Sequence, residues 1–418
     1  MVILIVLALI LAGFGTPSVF ADDTSTRIFS SNFKSLKVSS ADDFMTDPVI
    51  RLGTDDRIVI SFDEIGEDNS YLEYRLMHCN ADWRPSRLIE SEYVSGFNFG
   101  RIEDFAYSTA TIVHYVNYRI EFPNDDMQVI HSGNYLLQVY NPDDPDVTLL
   151  QARFQVSENR ASVQSGVSSR TDMGHNTEWQ QIALAINTDG LGRINPYQDL
   201  VVTIMQNNSE SSARNLRTPL RVDGNSVIYD HNRDLIFPAG NEYRRFESTS
   251  NNFPGMHVDS LAFKGSNYHV WLKPDYPRSN SQYSYDSTQH GRYIVKAYNA
   301  TDSDIAADYI TVHFTLYSDP LPDQEVYVDG EFTHDAYSVA NRMVYDCEKR
   351  AYTAEIPLKQ GAYNYRYISR PVGSGESPKG DSIEGNFYET DNEYAVDVYL
   401  RAPGSRADRL VNHTQIIR

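Results

Sequence analysis

Apolar and polar residues alternate at period two through most of this chain, and that pattern confines it to β-structure. Arg57-Ile58-Val59-Ile60-Ser61-Phe62, Tyr115-Val116-Asn117-Tyr118-Arg119-Ile120 and Tyr135-Leu136-Leu137-Gln138-Val139-Tyr140 each place every second side chain on one face, as a half-buried strand requires. Between them stand Gly66-Glu67-Asp68-Asn69-Ser70, Ser132-Gly133-Asn134 and Asn141-Pro142-Asp143-Asp144-Pro145, residues that end strands by lacking a donor or by tolerating left-handed backbone. With 29 Tyr and 18 Phe to fill pleated surfaces, the expected fold is all-β, a tandem of immunoglobulin-like, early-set-like β-sandwich domains.

At 418 residues the chain exceeds what one hydrophobic core usually holds, so two or three domains are expected. An apolar run over Val2 to Phe14, then small residues and Val19-Phe20-Ala21 before Asp22-Asp23, reads as a secretory signal peptide over 1–21, with a retained anchor as the competing reading because the start lacks Lys and Arg. The first domain is expected over 22–157. The Ser- and Gly-rich stretch from Ser157 to Arg170 reads as a linker, and a middle domain spans 158–318 with strands at Gln180 to Ile186, Leu200 to Met205 and Tyr309 to Leu316. Asp319-Pro320-Leu321-Pro322 marks the next boundary, before a C-terminal domain over 319–418.

Charge and cysteine usage exclude several classes of function. A net charge of −21 argues against nucleic acid and anionic lipid surfaces, whose phosphates demand clustered Lys and Arg. No other segment has the ~20 apolar residues of a membrane span, so no direct insertion is expected. Cys79 and Cys347 lie far apart in sequence and read as unpaired and buried.

The chemistry of catalysis leaves no signature either. Paired Cys-x-x-Cys and His-Glu-x-x-His spacings do not occur. His78 and Cys79 are adjacent, so on a strand they face opposite ways and only one is expected in the core. No Gly-x-Ser-x-Gly elbow, phosphate loop or dinucleotide fingerprint occurs. Carboxylates such as Asp82, Glu90, Glu92, Glu103 and Asp104 are too common among 57 acidic residues to single out a pair. The reading is a non-enzyme with no catalytic, cofactor-binding or metal-ligating residues and no cofactor.

One segment is too distinctive to be filler: YRLMHCNADWRPSRLIESEYVSGFNFGRIEDF, from Tyr74 to Phe105. It resembles the type IX secretion system plug proteins of Bacteroidota. The resemblance continues in Phe122 to Met127, Ser132 to Tyr140 and Glu384 to Tyr394, with two departures: Ala110 where the pattern has Asn, and Ala407 where it has Tyr. It implies a periplasmic plug on the inner side of the outer membrane, bound to the type IX translocon barrel and sealing its pore at rest. Within the signature, Tyr74, Leu76 and Trp83 read as core. Arg84, Arg87, Tyr93, Phe97 and Phe99 read as partner-binding, because arginine and exposed aromatics carry much interface energy.

The last domain resembles the early-set modules that bind glycogen. Their loop Trp is missing here, where the chain reads Thr333-His334-Asp335-Ala336. With Tyr283, Tyr285 and Tyr293, that likeness supports the alternative of a carbohydrate-binding module or an accessory of glycan processing.

Overall fold

The computed structural model describes residues 23–418; the expected signal peptide at 1–21 lies outside the described residues. Nearly all regular structure is β, and the two α-helices, Pro196–Asp199 and Ser303–Ala306, are single turns.

The first body is a sandwich. One sheet is built on Glu73–Cys79, Gly133–Asn141 and Asp144–Ser157; the other joins Phe33–Ser40, Ile58–Ile65, Tyr115–Phe122 and Phe105–Tyr107. The inward positions of both alternations meet between them, with Ile58, Ile60, Phe62, Tyr118, Tyr135, Leu137 and Phe154 in one buried cluster. Phe62 stacks on Tyr118 with ring centroids 5.3 Å apart, and Tyr135 on Phe154 at 5.2 Å.

The second body differs from the expected 158–318. Its first sheet contains Ser162–Ser168 paired along Trp179–Asn187, so the Ser-rich segment read as a linker contributes a strand. Its second sheet joins Leu200–Gln206 to Glu393–Leu400, which in turn pairs with Arg409–Ile417. The chain's last two strands therefore complete the middle body. Glu393–Leu400 is buried along its whole length, which a strand covered on both faces requires.

The third body also departs from its expected start at 319. A continuous nine-stranded sheet carries Arg244–Ser248, Val258–Lys264, Asn267–Leu272 and Tyr309–Tyr317 together with Gln324–Asp329, Arg342–Asp346, Ala351–Lys359 and Gly361–Pro371. Tyr309–Tyr317 pairs with Ala351–Lys359 from end to end. Asp319-Pro320-Leu321-Pro322 is thus a connection inside one sheet, where prolines stop a strand without separating two cores.

Buried charge fixes the three bodies against one another. Arg292 of the third donates to Asp47 of the first at 3.1 Å and to Glu393 of the second at 2.6 Å. Lys359 Nζ lies 2.7 Å from Asp63, which also accepts from Tyr309 Oη at 2.6 Å. Burial holds the Asp63 carboxyl above its usual range despite Lys359. His413 contacts Asp397 at 2.7 Å and Asp47 at 3.4 Å; burial disfavours its charge, yet these carboxylates push it up to about 10.

Candidate docking surface

The signature begins as a core strand. Along Glu73–Cys79 the alternation buries Tyr74, Leu76 and His78. Burial pushes the His78 imidazole down to about 4, so it is neutral at pH 7 and its Nε2–H donates to the Ser132 carbonyl at 3.1 Å. Gly133 makes that possible. A Cβ there would sit 2.4 Å from His78 Nε2, and its φ of +143° suits glycine.

Cys79 is buried, as expected of this thiol, so both members of the His78–Cys79 pair are enclosed where only one was expected in the core. The reverse face of this sheet end is covered by the second body. Ala81 clusters there with Val201, Tyr399 and Leu410. Burial pushes the Cys79 thiol up to about 12. Cys347 is free but exposed, correcting the expectation of burial.

Asn80 begins a tight loop pinned to the C-terminal hairpin. Arg401 Nη2 donates to Asn80 Oδ1 at 2.7 Å, Arg401 Nε to Asp408 Oδ1 at 2.7 Å, and the Ala81 N–H to Asp408 Oδ2 at 3.0 Å. Trp83 is not the core residue its size suggests: it is half-buried at φ +61° with the Arg153 guanidinium 4.2 Å above its ring. Indole and guanidinium satisfy each other at the seam between bodies.

The five residues expected to meet a partner separate into three groups. Arg84 and Arg87 are exposed on a groove between the loop and the second body. Phe97 is 74% exposed and Phe99 48%, their rings 5.8 Å apart. Tyr93 is buried, a correction: its hydroxyl donates to the Leu76 carbonyl at 3.2 Å and its ring packs on Tyr135 and His78. Asn98, between the phenylalanines, bonds the backbone of Leu76 and accepts a role as anchor by donating to Glu90 at 3.0 Å. This holds both phenyl rings outward.

Sequence reasoning missed a cavity of about 400 Å³ where the three bodies meet, lined by residues of all of them. Glu210 and Asp335 face it. Burial pushes Glu210 up to about 7 against the pull of Arg153, and burial with Asp329 pushes Asp335 up to about 6. No local spacing announces this cluster, because its members are as distant as Asp47 and His413. Of the three tyrosines that suggested a sugar platform, Tyr285 is exposed, Tyr293 is buried, and Tyr283 donates to Glu242 at 2.6 Å. Among the described residues no group of three or more His, Cys, Asp or Glu is placed to hold a metal ion.

The geometry is that of an all-β, multi-sandwich protein. Residues 33–158 match the family model described as the type IX secretion system plug protein first domain, and the chain belongs to the type IX secretion plug family. A crystal structure of a hypothetical protein from Parabacteroides merdae superposes with a TM-score of 0.92 at 41% identity, over 94% of this chain and 99% of that one. Dimeric latent PorU from Porphyromonas gingivalis gives a TM-score of 0.14 at 12% identity, over 92% of this chain and 34% of that one, and carries no structural argument. No curated protein sequence matches the chain.

Proposed function

We propose that this chain is a periplasmic, non-enzymatic plug subunit that binds the outer-membrane translocon barrel of type IX secretion and covers its pore at rest. The observation that carries the reading is the match of the whole first sandwich, residues 33–158, to the plug family. Two physical features support it. Buried ion pairs between bodies give a broad, stiff surface, which sealing a pore requires. The outward Phe97 and Phe99 supply the desolvatable aromatic anchors on which protein interfaces rely. Among the described residues no helix is long and apolar enough to cross a membrane.

Release without a chemical energy source follows if the barrel's states differ in affinity for the plug. The test is a pull-down with tagged residues 23–418 from detergent extract of the native envelope, read by mass spectrometry. Recovery of a very large outer-membrane barrel supports the reading. Recovery of envelope polysaccharide alone replaces it with the glycan-accessory alternative.

A further inference from the structure

The groove beside the signature loop has a charge opposite to that of the protein as a whole. The chain carries −21, yet this cleft of about 450 Å³ is lined by Arg84 and Arg87 from the first body and by Arg217, Arg401 and Arg406 from the second. The carboxylates in its wall are Asp82 and Asp408.

Those carboxylates do not neutralise it. Asp408 is taken up by Arg401 and the Ala81 N–H. Asp82 reaches only Arg84, at 3.8 Å, and Arg406 pairs with Glu92 just outside the cleft. Arg87 and Arg217 are exposed and, among the described residues, have no carboxylate partner.

We propose that this groove is a docking site for an acidic segment of a protein partner. Its cations are arginines, with no lysine, and the planar guanidinium fork matches carboxylates two bonds at a time. Arg87 and Arg217, unpaired among the described residues on opposite walls with the already paired arginines around them, suit carboxylates spaced along one chain better than a single compact anion. The surrounding charge selects for size. An extended polyanion such as a lipid surface or a nucleic acid meets the field of the whole acidic body, whereas a short segment inside the groove, within a Debye length of about 10 Å, feels chiefly the local arginines. Ala81 and Val201 offer it an apolar floor. Because the walls belong to different bodies, the bound segment also bridges the first sandwich to the second.

The test is fluorescence anisotropy of a short labelled peptide of alternating Glu and Ser, with a Lys and Ser peptide, inorganic pyrophosphate and phosphatidylglycerol vesicles as comparisons. The acidic peptide should bind at least about tenfold more tightly than the basic one. Raising salt from about 50 to about 300 mM should weaken it severalfold. Arg87→Glu/Arg217→Glu should lower affinity by at least about tenfold at an unchanged unfolding midpoint, with Arg87→Lys/Arg217→Lys intermediate. Equal affinity for both peptides, indifference to the charge reversal, or preferential binding of vesicles or pyrophosphate overturns the assignment. No translocon enters this experiment, so its failure leaves the plug reading standing.

Discussion

The seam where the three bodies meet and the rim of the first body use charge and aromatic rings in opposite ways. At the seam Arg292 is buried between Asp47 and Glu393, and the half-buried His413 lies within ion-pair distance of Asp47. At the rim Arg87, Phe97 and Phe99 are exposed, as is Arg217 on the second-body side of the same groove. Removing one partner from a buried set leaves an uncompensated charge, which is costly, while exposed side chains contribute little to folding. The seam therefore sets shape, and the rim is free to meet another molecule.

The sharpest way to break this contrast is to cut the seam. Arg292→Met leaves Asp47 and Glu393 without their shared cation and should cost about 3–5 kcal/mol, read as a lower urea midpoint. Next comes Gly133→Ala, where a new Cβ collides with the His78 ring at a positive φ; a loss of about 2–4 kcal/mol is expected by thermal or chemical unfolding. A seam variant as stable as wild type would collapse the distinction.

Acidity separates the regions further. His413 has its folded pKa raised from 6.5 to about 10, so its stabilisation is complete below pH 6.5 and is lost as pH rises through 10. Glu210, raised from 4.5 to about 7, likewise favours the folded state below pH 4.5 and loses that contribution as pH rises through 7. Each group bounds the slope at about 1.4 kcal/mol per pH unit. Urea midpoints measured across pH should decline through these windows, and His413→Gln should flatten the upper one.

The smallest effect is at Ala110, an exposed residue at φ +58°. The plug pattern has Asn there, a residue that tolerates left-handed backbone, and Ala110→Gly should raise stability by about 1 kcal/mol. The other departure, Ala407, is fully buried.

Strand identity was legible because alternation is local: Ile58–Ile65, Tyr115–Phe122 and Tyr309–Tyr317 lie where the period-two runs place them. Strand partnership was not. Glu393–Leu400 pairs with Leu200–Gln206 across nearly two hundred residues, and no pattern within either strand encodes the other. The candidate site divides on the same line. The exposure of Phe97 and Phe99 was legible, whereas Tyr93, an aromatic of the same segment, turns inward because the Leu76 carbonyl and the Tyr135 ring await it. Arg217, Arg401 and Arg406 join Arg84 and Arg87 only once the second body folds against the loop.

The most direct test of the central claim is the binding of purified residues 23–418 to the purified type IX outer-membrane barrel in detergent, measured beside a stability-matched Phe97→Ser/Phe99→Ser variant. Saturable binding by the native chain, weakened at least about tenfold in the variant, is the predicted result. A correctly folded chain that does not bind the barrel would contradict the account.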